Sequence, residues 1–178
     1  MKKHFYAVTK DLILTLKECY TLLVEIEAVL NSRPLTALSS DPKDLSPLTP
    51  SHFLIGDYMM QPVQKSYLDI PDNKLSRWQH IQKVRQDFWI RWQKEYLTEL
   101  QRRQKWTTGD KTIKKGTLIF LKEDHLPSLQ WTIGRVQELH LGPDGETRVI
   151  TVKTAKGQYK RSVRDACPIP IDDVTEYS

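Results

Sequence analysis

Only two cysteines, Cys19 and Cys167, occur in 178 residues, far apart and without the spacing that zinc sites or a disulfide framework use. A buried free thiol is the ordinary state of a helical cysteine such as Cys19, and such sparse usage fits a reducing, intracellular compartment. Glycine is also scarce, with seven residues scattered at turn positions, which leaves no glycine-rich loop to cradle a phosphate. No apolar run approaches the ~20 residues that span a bilayer. The start, MKKHFYAVTKDLILTL, is basic, but Lys10 and Asp11 interrupt any signal-peptide core, so it reads as part of the fold. The five histidines show no ligand spacing, no nucleophile motif announces itself, and no internal repeat appears. Catalysis, a membrane span and a metal-organised fold all lack their signatures.

What is present is an ordinary soluble composition, 39% hydrophobic and 28% charged, long enough for one domain or two small ones. The net charge of +5 is unevenly placed. Residues 1–73 hold 7 Lys/Arg against 9 Asp/Glu, residues 74–115 hold 12 against 4, and residues 116–178 hold 8 against 9. The middle segment therefore carries +8, as expected of an element that meets an anionic partner. A solvated helix face rich in Lys and Arg would give the same count.

The pattern predicts one or two helical turns over 2–9. A capping box at Thr15–Glu18 then opens an amphipathic helix to about Asn31, which Pro34 ends. Pro34, Pro42, Pro47 and Pro50 with Ser39-Ser40-Asp41 mark a turn-rich loop. A short helix capped by Thr49, with Pro50 at its first position, exits at Gly56. Residues 61–73 read as a connector whose Pro71-Asp72-Asn73 caps a long helix from about Lys74 to Trp106. There Trp78, Ile81, Val84, Phe88, Trp92, Tyr96 and Leu100 form the apolar stripe. Arg77, Arg85, Arg102 and Arg103 flank or enter that stripe, laying their stems along it.

Beyond Thr107–Asp110 the period changes to that of strands: 117–121, 131–139 with Gly134 as a bulge, 147–154, 159–163, and a last edge strand at 167–170. Five short strands joined by glycine turns suggest a small SH3-like barrel. The expected architecture is α+β, with helices at 1–60, a connector at 61–73, a long basic helix at 74–110, a β-barrel at 111–171 and a tail at 172–178.

Four passages in order carry a resemblance: LLVEIEAVLNSRPLTALSSDPKDLSPLTPSHFLIG (22–56), LSRWQ…FW.RW.KEYL (75–97), LKED…LQW..GRV (121–136) and VKT…YKR…CP (152–168). Over nearly the whole chain the sequence resembles the C-terminal part of integrases from BEL/Pao-type LTR retrotransposons. The resemblance implies the last helices of an RNase H-like core followed by the family's C-terminal domain. It also implies that the catalytic Asp, Asp and Glu, which hold two Mg²⁺ for strand transfer, lie upstream of Met1. No catalytic position is carried over, no cofactor is expected of this chain, and Mg²⁺ is expected only of a complete integrase.

The acids at hand have simpler readings than a metal site: Glu18 belongs to the capping box, Glu25 faces solvent, and Glu27 is a hydrogen-bonding member of the core. Nucleic-acid binding remains. Lys83, Arg91, Lys94, Arg102, Arg103 and Lys105 line the long helix, and Lys153, Lys156, Lys160, Arg161 and Arg164 surround the final hairpin. Such cations contact a DNA backbone with little sequence choice; an intracellular chain that acts with DNA is expected in the nucleus, the resemblance implies other integrase chains as further partners, and no small-molecule substrate is expected. The alternative is a protein–protein or self-assembly module, or a reader whose aromatic cage would need Phe120, Trp131 and Tyr159 exposed and convergent.

Overall fold

Thr15 opens the second helix by satisfying one of its orphan amides. Its Oγ1 accepts from the Glu18 N–H at 3.3 Å, and Glu18 Oε2 accepts from the Thr15 N–H at 2.8 Å, the reciprocal capping box the sequence predicts. The computed structural model describes residues 2–39, 41, 43–59, 64–107, 113–123, 126–143 and 145–169, the side chains of 102–107 excepted. Its helices are α1 (Lys2–Thr9), α2 (Leu16–Asn31), α3 (Pro50–Ile55) and α4 (Arg77–Thr107). Its strands are β1 (Thr36–Ala37), β2 (Pro47–Leu48), β3 (Leu118–Leu121), β4 (Ile133–Leu141), β5 (Thr147–Thr154), β6 (Gly157–Ser162) and β7 (Ala166–Pro168). The chain divides into two compact units. One comprises Met1–Arg33, Ser51–Tyr96 and Asp124–Gln130; the other comprises Pro34–Pro50, Leu97–Glu123 and Trp131–Ser178. α4 thus supplies residues to both.

In the first unit α2 buries Leu22, Ile26 and Val29, and α4 buries Ile81, Val84, Phe88, Trp89 and Trp92, each set at helical spacing. α4 begins later than Lys74 because Asp72–Lys74 forms a 3-10 turn. Ser76 is its cap: Ser76 Oγ accepts from the Gln79 N–H, and Gln79 Oε1 accepts from the Ser76 N–H, a second capping box. Trp78, expected in the stripe, is 58% exposed, while Trp89, left out of it, is 1% exposed. Trp92 stacks on Tyr96 with centroids 5.3 Å apart. The helix also buries Gln82, Arg85, Gln86 and Gln93, so its inward face is wider and more polar than an apolar stripe.

Arg77 donates Nε and Nη2 to the two Glu18 carboxylate oxygens, each at 2.6 Å. With the Thr15 bonds, this fork lowers the Glu18 pKa to about 2. A depressed carboxylate pKa stabilises the fold above the unfolded value, and that contribution disappears as pH falls through the folded value. Melting temperature followed through acid, from pH 4.5 down to about 2, should therefore fall more steeply in the parent than in Glu18→Gln. Parallel curves would remove this pair from the acid response.

The second unit is built on a five-stranded antiparallel sheet of order β6-β5-β4-β3-β7. Ile119, Leu121, Val136, Ile150, Val152 and Ala166 form its core, all on one face by register. β3 is buried on both faces. On its other side the Cys167 thiol donates to the Leu97 carbonyl at 3.4 Å, and Gln101 Nε2 donates to the Ala166 carbonyl at 2.8 Å. Among the described residues the sheet ends on β6 and β7, with no pairing between them. The proline loop also differs from expectation: Thr36↔Leu48 and Ala37↔Pro47 pair as a small ribbon. Arg135 Nη2 donates to the Asp44 carbonyl at 2.9 Å and Nη1 to the Gly116 carbonyl at 2.9 Å, tethering that ribbon's loop to β4.

Gly134 is not the bulge. The register shifts lie between Val136 and Glu138 and between His140 and Leu141. Gly134 is required instead by close approach: a Cβ there would lie 2.3 Å from Val152 Cγ1 and 3.0 Å from the Lys153 carbonyl oxygen. Val152 is fully buried and stiff at χ1. Gly134→Ala should therefore destabilise the chain by about 1–3 kcal/mol, read as a lower urea midpoint; an unchanged midpoint would refute the packing argument.

Candidate nucleic-acid interface

Strand alternation sorts the hairpin cations before any ligand is considered. Lys153 pairs across from Gln158, and Thr151 from Lys160, so Lys153 and Lys160 share the face opposite the core. They are diagonal neighbours there, at the ~7–8 Å typical of that relation. Lys156 sits at the tip between Thr154 and Gly157, where Gly157 has φ +135° and so suits a residue without Cβ. Thr154 Oγ1 donates to the Gly157 carbonyl at 3.1 Å and accepts from the Lys156 N–H at 3.2 Å, and Tyr159 Oη donates to the Lys156 carbonyl at 3.2 Å. These bonds fix the tip. Lys153, Lys156, Lys160 and Arg164 are all exposed.

Arg161 belongs to the other face, in register with Ile150. It lies 3.6 Å from Glu123 Oε1 and 5.4 Å over the Tyr159 ring, so the five-residue cluster read from sequence divides into an outward set and one partnered arginine. Arg164 lies in a 3-10 turn, its N–H donating to Ser162 Oγ at 3.3 Å. From Thr147 to Arg164 the chain contains six Lys/Arg and no acid. On the outward face the acid is Glu138, in register with Thr151, while His140 Nε2 lies 2.7 Å from Thr151 Oγ1.

The helix set fares differently. Lys83 Nζ donates to the Ile70 carbonyl at 2.7 Å and to Asp72 Oδ1 at 2.9 Å, and the lysine holds the Asp72 carboxyl below its ordinary pKa. This lysine closes the 3-10 turn onto α4 and does not project as a phosphate contact. Arg91 and Lys94 are exposed. Burial raises the Asp87 pKa, opposed by the charges of Lys83 and Arg91. Arg102, Arg103 and Lys105 lie on α4, but their side chains fall outside the described residues.

Two readings of acids are corrected here. Glu25 is turned inward, its side chain 17% exposed, with Oε1 accepting from Gln82 Nε2 at 2.8 Å and 3.9 Å from Arg85 Nη1. Glu27 is exposed. Arg85, 2% exposed, is the buried member that charge counting treats as one surface cation among twelve. Its signal was its place between Gln82 and Trp89, three and four residues away on the inward face. Among the described residues no three His, Cys, Asp or Glu side chains converge as a metal site would require, and no helix is long and apolar enough to cross a membrane.

The fold and this surface define an α+β chain in which a long helix precedes an antiparallel sheet bearing an acid-free cationic hairpin. The chain belongs to DUF5641, a family of unknown function, whose model matches residues 76–169, from the start of α4 through β7. No curated protein and no solved structure matches the chain.

Proposed function

We propose that this chain is the non-catalytic C-terminal part of a BEL/Pao-type retrotransposon integrase, binding the DNA backbone through the β5–β6 hairpin. The observation that carries it is the run Thr147–Arg164, six cations without an acid, three of them on the hairpin's outward face and tip. Their spread over a rigid hairpin suits phosphates, which give affinity and register but little sequence choice. The chain then acts in the nucleus, without a cofactor of its own, and the chemistry of strand transfer resides in residues outside it. The finer fold is an SH3-like barrel. Four strands run as a meander, the fifth returns beside the first after a 3-10 turn, and the register shifts in β4 supply the bend a small barrel needs.

The test is binding to duplex DNA across a salt series, where log K falls linearly with log salt and the slope counts phosphates neutralised. A flat series, or no binding at low salt, would sink the reading. A second reading, self-assembly, is favoured by one observation: Tyr6, Leu16, Tyr20, Leu23 and Val24 are exposed on α1 and α2. Self-association in sedimentation without DNA binding would select it. A chromatin reader is disfavoured because Phe120 is 1% exposed and packs on Trp131 with centroids 5.9 Å apart. Tyr159, in register with Val152 on the core-bearing face, does not converge with them.

A further inference from the structure

A cleft of about 310 Å³ in the first unit lies between residues 64–69, α4 and residues 126–128. It is lined by Arg85, Ser128, Gln64, Trp89 and Leu68 among others, and its size is at the lower end of the roughly 300–1,000 Å³ typical of small-ligand sites. Two buried polar groups from separate segments line it with hydrogen-bonding capacity unspent: Arg85 Nε and Nη1 and Ser128 Oγ have no hydrogen-bond partner among the described residues. Arg85 is otherwise held on one side, donating Nη2 to Gln64 Oε1. A buried donor left unpaired is costly, the more so when it carries charge. A guanidinium offers donors only, so whatever completes this site must bring an acceptor oxygen. Glu25, 3.9 Å from Nη1, already balances part of the positive charge, and Asp69 stands exposed at the lining. Both disfavour a dianion. Trp89 and Leu68 supply apolar wall.

We infer that this cleft binds a monocarboxylate with a compact apolar body, its carboxylate on Arg85 and Ser128 and its apolar part against Trp89. The site shares no residue with the hairpin and does not depend on DNA binding; it adds a bound small molecule to a chain expected to have no small-molecule substrate. The experiment is calorimetric titration of the full chain with benzoate, benzamide and inorganic phosphate. Benzoate should give a saturable, one-site isotherm, with benzamide and phosphate at least about tenfold weaker, as loss of a charge-assisted bond or an added repulsive charge implies. Ser128→Ala, which leaves the fold's apolar core untouched, should weaken benzoate by roughly fivefold, the share of one hydrogen bond. Arg85→Met, close in volume, should abolish saturation while leaving circular dichroism unchanged. Should that variant fail to fold, Ser128→Ala decides. No saturable benzoate binding up to about 10 mM, equal affinity for benzamide, or full affinity in Ser128→Ala would each overturn the proposal.

Discussion

Replacing Lys153, Lys156 and Lys160 together by alanine is expected to make the salt dependence of duplex binding shallower by about 2.7 in slope, since each neutralised phosphate contributes about 0.9. At about 0.1 M salt the same term amounts to a loss of roughly two to three orders of magnitude in affinity. The three side chains are exposed and make no core contact, so the substitutions should leave stability within about 0.5 kcal/mol of the parent. Hairpin rigidity should also survive, because the tip is held by Thr154 and Tyr159 hydrogen bonds that use the Lys156 backbone and not its side chain. Lys83→Ala is the informative control. That lysine is engaged with Ile70 and Asp72, so its loss should weaken the entry to α4 without changing the salt slope. A slope that falls with Lys83→Ala and not with the hairpin variant would transfer the contact to the long helix.

The elements with strong local chemistry were legible in the sequence. The Thr15–Glu18 capping box, Pro50 and Gly56 bracketing α3, and β5 with its flanking glycine turns all lie where their residues dictate. What the sequence did not disclose was the full width of the inward face of α4: Ile81, Val84, Phe88, Trp92 and Leu100 of the expected stripe are buried, but Trp78 is exposed, and Gln82, Arg85 and Trp89 are buried beside them. Trp78 and Trp89 stand eleven residues, about three turns, apart on one side of the helix, so spacing alone does not separate them. Gln82 and Arg85 turn inward toward Glu25 of α2. The same cause explains why a charge count of +8 overstates the cationic surface of the helix: Arg85 is buried, Arg77 is forked to Glu18, and Lys83 is bonded to Asp72. Counting charges reads composition, whereas a phosphate responds to cations that remain unneutralised at the surface. The hairpin was the better pointer for that reason. Its eighteen residues from Thr147 to Arg164 contain no acid that could pair locally with them. Alternation along β5 and β6 still had to divide the cluster, turning Arg161 toward Glu123 and away from Lys153 and Lys160.

Trp89→Ala should be the most damaging single change in the first unit. The side chain is 1% exposed, among the largest fully buried in the chain, and its ring lies 6.2 Å from that of Trp92. Its Nε1 also donates to the Leu126 carbonyl at 3.1 Å, fastening residues 126–128 to α4. Removing a buried tryptophan costs about 3–5 kcal/mol through lost transfer energy and the cavity left behind. In a chain whose total stability is on the order of 5–15 kcal/mol, that loss should lower the melting temperature by roughly 6–20 °C. Trp89→Phe separates the two contributions. It keeps most of the apolar volume but leaves the Leu126 carbonyl without its donor, a cost of about 1–3 kcal/mol. Chemical denaturation of both variants tests the partition. If Trp89→Phe falls as far as Trp89→Ala, the hydrogen bond to Leu126 dominates and the packing argument fails; if neither moves the midpoint, α4 does not turn this face inward.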